Sequence, residues 1–409
     1  MSPKPGGGNR PGYIGGVKSA SATRYLIPCR SGKHQVGLDP ARFWRPAGCP
    51  VCKDPVDRWR VRRLLMWLGG RAPWSRMRLG RLEINPVEGM AAIWGLVIVA
   101  ITVVFHTVAD DWWLATVLLF LGRWPWVVPA VGLLVLAALT RRPRSVLVAA
   151  VPVVICLFGI MDLTIGVGRF LGSSDRGSRV RIVTYNVNGN AAAPRITDLV
   201  RAWRPDVLAI QECGGDVRDR VRRMPDYQGD VGNICLLTRF PIISADSLPR
   251  DAIEAAGGSA WVKRYRLRGP RGDFDLTNVH LDTPRKGFEA LMARKGDAIS
   301  IIKEKTFVRD LESRLARRWV DAGPGPRLVA GDFNMPDESA IFRQYWADLA
   351  DGFNRAGFGF GYSRLNGWIR VRIDHVLADD HWVVRSARLL PDYGSDHLPV
   401  MVELELKTP

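Results

Sequence analysis

Three long apolar stretches most constrain how this chain can fold. Residues 90–109 are almost entirely apolar, and about 20 such residues are needed to cross the hydrocarbon core of a membrane. A second stretch covers residues 112–139 and is interrupted by Gly122-Arg123-Trp124-Pro125, so its first part either lies at the membrane surface or belongs to the span. A third stretch covers residues 145–167. The sequence therefore predicts three transmembrane helices within residues 90–168.

The charges around these stretches predict their orientation. Residues 1–171 carry most of the net charge of +18, with 22 Lys and Arg against 8 Asp and Glu, so the high pI is no argument that the remainder binds DNA. Residues 58–89 and the turn at residues 141–144 are strongly basic, whereas Asp110-Asp111 separates the first two stretches. Because loops rich in Lys and Arg stay inside, we expect a multi-pass plasma-membrane protein with a cytoplasmic amino terminus and an extracellular carboxyl-terminal region.

The amino-terminal part predicts three further segments. Residues 1–23 have the composition of a disordered tail. Residues 24–57 contain four candidate ligands for a structural Zn²⁺ ribbon, in a C-x4-H and a C-x2-C arrangement: Cys29, His34, Cys49 and Cys52. The alternatives are a ribbon that no longer binds metal or free cytosolic thiols. Residues 58–89 combine arginines with tryptophans, which suits contact with anionic membrane lipids, although a solvated basic linker is the alternative.

Polar residues recur at the ends of strand-like apolar runs beyond residue 179. One run ends in Gly331-Asp332-Phe333-Asn334, which places a carboxylate and a carboxamide on the same side of the chain but is also typical of an ordinary turn. Further clusters occur in order: Asn186-Val187-Asn188-Gly189, Gln211-Glu212, Asn278-Val279-His280-Leu281, Asp374-His375 and Asp396-His397. Helical stretches alternate with these strands, which indicates a two-sheet α/β sandwich covered by helices.

This ordered series resembles the motifs of the endonuclease/exonuclease/phosphatase superfamily, which includes deoxyribonuclease I-like, exonuclease III-like and sphingomyelinase-like enzymes. The resemblance covers residues 179–409 and none of the residues before them. It implies an α/β fold of the four-layer α/β/β/α sandwich type, with the active site where the strand ends converge. It also implies a metal-dependent phosphoric ester hydrolase.

The resemblance further implies a metal site of oxygen donors, which suit Mg²⁺ or Mn²⁺. Glu212 corresponds to the principal metal ligand of the family, and we expect it to be buried at the end of its strand. Asn188 and Asp396 would assist it. An Asn-Gly turn is the alternative interpretation of Asn188 and Gly189.

The remaining motif positions imply catalytic and phosphate-binding roles. Asp332 would act as general base and, with Asn334, orient water and the phosphoryl group. Asp374 would pair with His397, which would stabilise the developing charge or help to activate water. Asn186, His280 and Asn334 would bind the phosphate. His375 faces the other side of its strand, so we expect no role for it.

The leading hypothesis is a membrane-anchored, divalent-metal phosphodiesterase or nuclease-like hydrolase with its catalytic domain outside. Its substrate is a nucleic acid, a lipid headgroup or a small molecule; a phospholipid-headgroup or small-phosphoester phosphatase is one alternative. A non-catalytic membrane adaptor that binds phosphate ligands is another. Membrane lipids and a cytoplasmic partner of the ribbon are the expected partners. In an oxidising compartment Cys213 and Cys235 either form a disulfide or remain two unpaired core cysteines.

Overall fold

The computed structural model describes residues 25–28, 35–38, 77–79, 82–170, 179–367 and 369–407. The four candidate zinc ligands lie outside these residues, as does the predicted tail. Within the described residues the chain forms two compact units. One contains residues up to 91 together with residues 133–149, and the other contains residues 92–132 and everything from residue 150 onward.

The first unit contains two short antiparallel hairpins and parts of three apolar helices. Its strands are β1 (Tyr25–Pro28) with β2 (Gln35–Leu38), and β3 (Met77–Leu79) with β4 (Leu82–Ile84). The helix parts pack through a small apolar cluster that includes Val87 and Ala149. Glu88 is buried here because it accepts a hydrogen bond from the Ser145 hydroxyl at 2.8 Å.

The apolar stretches form helices whose bounds differ in part from the prediction. Their bounds are α1 (Pro86–Thr107), α2 (Trp113–Phe120), α3 (Val127–Leu139) and α4 (Pro143–Ile155), with Cys156–Ile160 continuing α4 as a π-helical turn. By length and composition, two helices could cross a membrane, Pro86–Thr107 and Pro143–Ile160, or three if α2 and the helix Trp124–Leu139 count as one bent span.

The second predicted span consists of two helices that meet at an angle of 88° across the Gly122-Arg123 break, where the sequence left open whether the first part belongs to the span. The third predicted span ends too late. Its helix stops at Ile160, and Thr164–Ile165 forms strand β5 instead. The reason is Asp162, whose backbone is left-handed at φ 56° and whose carboxylate bonds the Arg372 guanidinium at 2.5 Å. This pairing turns the chain out of the helix direction.

The second unit contains two mixed six-stranded sheets. In chain order its strands are β5 (Thr164–Ile165), β6 (Arg179–Gly189), β7 (Val207–Cys213), β8 (Gln228–Asp230), β9 (Cys235–Thr238), β10 (Ile242–Ser247), β11 (Trp261–Gly269), β12 (Gly272–His280), β13 (Arg327–Asp332), β14 (Ala350–Asp351), β15 (Phe358–Gly359), β16 (Arg364–Asn366), β17 (Ile369–Val371), β18 (Asp374–Ala378), β19 (Trp382–Leu389) and β20 (Val400–Leu406). One sheet has the order β10-β11-β12-β13-β18-β14, and the other has the order β19-β20-β6-β7-β9-β8. Only β12-β13 and β6-β7 are parallel pairs among the described strands of these sheets.

The helices of this unit lie against the two sheets. In chain order they are α5 (Ile196–Trp203), α6 (Gly215–Arg222), α7 (Asp251–Ala255), α8 (Arg285–Met292), α9 (Ala298–Asp321), α10 (Ala340–Trp346) and α11 (Gly352–Ala356). Helix α5 is amphipathic, because Ile196, Leu199 and Val200 share one buried face while Arg201 is exposed. It packs with α6 on one face of the sheet that contains β6.

Three apolar clusters hold these elements together. The first joins the two sheets through residues such as Ile182 and Leu328. The second joins α5 and α6 to the outer face of one sheet. The third joins α9 and α10 to the other sheet and also contains Phe105, Leu119 and Phe120 from the apolar helices. Because both faces of each sheet are covered, a central strand can carry consecutive apolar residues, as in Val207–Ile210.

Candidate active site

Parallel pairing brings the candidate residues to one edge of the sheets. In β12 and β13 the residue pair at the carboxyl end is His280 and Asp332. In β6 and β7, Asn186 pairs with Gln211, and Glu212 follows it directly. Because parallel strands end at the same edge of their sheet, each pair delivers two polar side chains to one place. The two sheets face each other, so the two edges meet.

Asn186 links the two sheets at this edge. Its side-chain nitrogen donates to Glu212 Oε1 and to Asp332 Oδ2, both at 2.9 Å. Below it, buried Gln211 donates to Asn278 Oδ1 at 2.7 Å, and the Asn278 amide nitrogen donates to backbone carbonyls of β7 and Cys235. These bonds fix the relative position of the sheets, because a buried polar group left unpaired would cost free energy.

Two histidines face the carboxylates. His280 Nε2 lies 3.7 Å from Glu212 Oε1 and 3.9 Å from Asp332 Oδ2. His397 Nε2 lies 3.7 Å from Asp332 Oδ2, and His397 Nδ1 lies 2.8 Å from Asp374 Oδ2. The structure therefore gathers both histidines around Asp332 and pairs His397 with Asp374.

Several of these groups have shifted pKa values. Burial raises the pKa of Asp332, and the neighbouring Asp374 charge raises it further. Burial by itself would lower the pKa of His397, but the charges of Asp374 and Asp332 outweigh it and raise the pKa to about 9. The carboxylates thus favour the imidazolium form of His397.

Three candidate residues have left-handed backbones, which non-glycine residues rarely adopt. The φ angles are 47° at Asn188, 53° at Glu212 and 51° at Asn334. Side-chain oxygens of neighbouring residues hold two of these backbones in place. The backbone N–H of Asn188 donates to Asn186 Oδ1, and the backbone N–H of Asn334 donates to Asp332 Oδ1. Such costly conformations concentrate at functional sites.

The backbone explains one incorrect expectation. Glu212 is not buried, because its side chain is 40% exposed, while the rest of β7 up to Gln211 is buried. The left-handed turn at Glu212 points its carboxylate out of the sheet and into an open cavity. The next residue, Cys213, forms a disulfide with Cys235 at the start of β9, with a Cα–Cα distance of 6.1 Å. This bond ties the end of β7 to the neighbouring strand beside Glu212.

The predicted metal set is brought together only in part. Glu212 lies at the centre of the site, but Asn188 is exposed, and no hydrogen bond joins its side chain to the other candidates in the described part of the chain. Asp396 pairs with Arg364 Nη2 at 2.7 Å. At this site Asp332, Asp374 and His397 also form a group of potential metal ligands, whose ligand atoms lie within 4.8 Å of one another.

Asn334 and His375 lie where their strand positions predict. Asn334 lines the same cavity as Glu212 and His280, and its side-chain nitrogen donates to the Leu281 backbone carbonyl at 2.8 Å. His375 is buried on the other side of β18, where Nδ1 contacts Asp351 at 2.6 Å and Nε2 contacts the Met335 carbonyl. His375 therefore points away from the site, on the side of the strand opposite to Asp374, as its position predicted.

Arg364 is a site residue that the sequence interpretation missed. It lies on β16, its Nη1 is 2.6 Å from His397 Nε2, and it lines the cavity. The guanidinium occupies the space in front of the imidazole, next to Asp396. No strand-ending motif surrounds Arg364 in the sequence, so only the fold of the β16-β17 hairpin reveals it.

Comparison with known proteins agrees with this geometry. The family model of the Endonuclease/Exonuclease/phosphatase family matches residues 183–397, and the chain belongs to this family. It therefore contains a metal-dependent phosphoesterase domain of the hydrolase type. No curated protein sequence matches the chain.

Several solved structures are similar in fold. A family protein from Bacteroides thetaiotaomicron is 17% identical, with 57% of this chain and 100% of that chain covered and a TM-score of 0.45. D. rerio TDP2 complexed with single-strand DNA product is 16% identical, with coverages of 56% and 99% and a TM-score of 0.42. The human Nocturnin catalytic domain with bound sulfate is 17% identical, with coverages of 59% and 99% and a TM-score of 0.42.

Members of the family typically use a divalent metal such as Mg²⁺, and the donors at this site suit one. Glu212 and Asp332 offer carboxylate oxygens 2.9 Å from the same Asn186 nitrogen. Among the described residues, Asp374 Oδ1 and Asp396 Oδ1 are buried without a hydrogen-bond partner. Buried carboxylate oxygens without partners cost free energy. A divalent cation, which prefers oxygen ligands, would give them a partner.

Proposed function

We propose that this protein is a membrane-anchored, divalent-metal-dependent phosphoesterase that hydrolyses a phosphodiester or phosphomonoester outside the cytoplasm. One observation carries the proposal: Asn186 holds Glu212 and Asp332 together, while His280 and His397 face them within 4 Å across one cavity. Carboxylates, imidazoles and a carboxamide in this arrangement suit a phosphoryl group and an attacking water.

The proposed domain organisation follows the sequence prediction. Residues 179–409 would form the catalytic domain as a four-layer α/β/β/α sandwich, which the three apolar clusters support. The apolar helices would anchor it, with the basic residues of the amino-terminal part in the cytoplasm. The disulfide between Cys213 and Cys235 supports an outside location, since disulfides persist in oxidising compartments. A Zn²⁺ ribbon at residues 24–57 stays a prediction.

Glu212 would be the principal metal ligand, with Asp396 and Asn188 assisting through oxygen atoms. A divalent cation bound here would supply positive charge to the phosphoryl oxygens. Asp396 would have to release Arg364, whose guanidinium it binds at 2.7 Å. Arg364 would then be free to bind the phosphoryl group. Its guanidinium lies beside His397, where the phosphoryl group would also be bound.

The protein residues would divide the reaction between them. Asp332 would accept a proton from the water that attacks phosphorus, and Asn334 would orient the phosphoryl group. His397, held by Asp374, would stabilise the negative charge that develops on the phosphoryl oxygens, with His280 as a further hydrogen-bond donor. Asn186 would keep Glu212 and Asp332 in position through its two N–H bonds. The bond between phosphorus and the leaving oxygen breaks as the bond to water forms.

The test is hydrolysis of bis(p-nitrophenyl) phosphate by the full-length protein in lipid nanodiscs, with Mg²⁺ or with EDTA. We expect activity only with the metal. Glu212→Gln and His397→Gln should each lower kcat by about a hundredfold or more, the usual size of such effects. Glu254→Gln and His381→Gln are matched controls, because both side chains are more than half exposed and neither lines the cavity.

Wild-type rates in both site variants would contradict the assignment of these residues. Binding of phosphate without hydrolysis by the wild-type protein would instead favour the non-catalytic adaptor.

A further inference from the structure

The cavity beside the catalytic cluster has one polar wall and one apolar wall. It has a volume of about 340 Å³. The polar wall includes Glu212, His280 and Arg364, which suit a phosphate group. The apolar wall includes Phe120, Phe288 and Met292, which offer a phosphate nothing to bind. A ligand that uses both walls must therefore carry an apolar group next to its phosphate.

The apolar wall includes a residue from the apolar helical region. Phe120 is the last residue of α2, whose sequence contains no charged side chain. Together with the helix Trp124–Leu139, α2 is apolar enough to count as a membrane span, but the two are bent by 88° at the break between them. A short apolar helix at this angle to the next one suits the membrane surface, where apolar side chains contact lipid. With α2 at the surface, the cavity opens beside lipid.

Two buried ion pairs hold α2 in this place, one on each side of it. Before α2, the Asp110 carboxylate binds the Arg309 guanidinium of α9 at 3.1 Å, and both side chains are fully buried. After α2, Arg123 forms a two-point pair with Glu338 at 2.5 and 3.0 Å. The Phe120 ring packs on Phe288 with 5.4 Å between centroids. The apolar wall is therefore a fixed part of the cavity.

Further exposed apolar side chains lie on α8, which carries Phe288, and on the next helix, α9. Met292 lies one helical turn after Phe288 on α8 and is 80% exposed. In the described chain after residue 179, five large apolar side chains are exposed, and three of them lie close in sequence on α8 and α9: Met292, Ile299 and Phe307. Exposed apolar side chains concentrated in one region mark an interaction surface.

The charges of the cavity argue against a long polyanion. Its lining contains two arginines, Arg285 and Arg364, against three acidic residues, Glu212, Glu289 and Asp332. Nucleic acids are held mainly by Lys and Arg contacts along successive phosphates. One phosphate with an apolar substituent fits this balance better.

We propose that the substrate is a lipid phosphoester, whose apolar chain lies against Phe120, Phe288 and Met292 while its phosphate reaches the catalytic cluster. This inference rests on the proposed function and adds the class of substrate. Water attacks phosphorus, the bond from phosphorus to the leaving alcohol oxygen breaks, and the alcohol takes the proton that water loses. No oxidant or second substrate is needed.

The test compares two diesters with the same leaving group, hexadecyl p-nitrophenyl phosphate and methyl p-nitrophenyl phosphate. The full-length protein is assayed in phosphatidylcholine nanodiscs with Mg²⁺, and release of p-nitrophenolate is measured. We expect kcat/KM for the hexadecyl ester to exceed that for the methyl ester by about tenfold or more, because the chain is removed from water in the cavity. A single-stranded oligonucleotide serves as the nucleic-acid substrate.

Variants separate binding in the cavity from simple enrichment of the hexadecyl ester in the lipid. Met292→Ser should lower the hexadecyl-to-methyl ratio by about fivefold, because it removes apolar contact area at the cavity. Phe120→Ser should lower the ratio further. Ile243→Ser is the matched control, since Ile243 is 45% exposed on β10 and does not line the cavity. It should leave the ratio unchanged.

A ratio that stays at the wild-type value in both Met292→Ser and Phe120→Ser would overturn the inference and leave the proposed function intact. Faster hydrolysis of the oligonucleotide than of the hexadecyl ester would also overturn it. If neither ester nor the oligonucleotide is hydrolysed, the proposed function itself fails, and the substrate assignment fails with it.

Discussion

Asp110 and Asp111 provide a sharp test of how the loop before α2 is attached to the catalytic domain. The two residues are adjacent and identical, but Asp110 is buried and Asp111 is exposed. Asp110 binds Arg309 at 3.1 Å and accepts a hydrogen bond from the Ser339 hydroxyl. We therefore expect Asp110→Ala to destabilise the folded protein strongly and Asp111→Ala to have almost no effect.

The magnitude follows from the burial of the pair. The Arg309 side chain is 0% exposed and that of Asp110 is 1% exposed, so water screens neither charge. Asp110→Ala would leave the guanidinium charged and buried, and two Arg309 nitrogens already lack partners among the described residues. Removing one partner of a buried ion pair costs about 3–5 kcal/mol. For a domain of this size the loss corresponds to a decrease in Tm of about 6–20 °C.

The assay is thermal unfolding of the full-length protein in detergent, followed by intrinsic tryptophan fluorescence. The double variant Asp110→Ala with Arg309→Met removes both charges, so it should lose less stability than the sum of Asp110→Ala and Arg309→Met alone, by about 0.5–3 kcal/mol. Equal decreases in Tm for Asp110→Ala and Asp111→Ala, or none for either, would refute the reasoning.

Three further predictions concern the site and its support. Gly331→Ala should cost about 1–3 kcal/mol of stability, measured by Tm, because a Cβ there would lie 1.9 Å from the Val279 carbonyl oxygen of the neighbouring strand. Reduction of the bond between Cys213 and Cys235, separated by 22 residues, should cost about 3 kcal/mol in denaturant unfolding. Arg364→Met should lower kcat/KM for bis(p-nitrophenyl) phosphate by roughly a hundredfold, since it removes a cation from the phosphate position.

Each of these predictions has a control. Gly296→Ala adds a Cβ where no atom lies within 4 Å, so it should leave Tm unchanged. A Cys213→Ala, Cys235→Ala protein should be insensitive to reductant. Arg370→Met removes an exposed arginine from the same β16-β17 hairpin and should keep activity. A control variant that loses as much as its test variant would contradict the corresponding prediction.

Much of the candidate site is readable in the sequence because parallel strands end at the same edge of a sheet. His280 and Asp332, which follow apolar runs, had to meet if the runs paired in parallel, and they do. Asn186 reaches Asp332 because the two sheets face each other. The length of the apolar stretches likewise indicated helices able to cross a membrane. Both inferences use only local spacing, which the chain carries in its residue order.

Other features depended on contacts between distant residues. Asp110 and Arg309 are separated by 199 positions, and Arg123 and Glu338 by 215. Glu212 is exposed because of a left-handed backbone that no residue pattern marks.

Local periodicity and strand ends thus indicated the helices and the sheet-edge residues, and the resemblance of the ordered motifs to a known family implied the class of chemistry. Only the tertiary structure decided that Phe120 and Arg364 reach the cavity. The reason is physical, since their positions depend on how buried charges and apolar surfaces from separate segments are satisfied together.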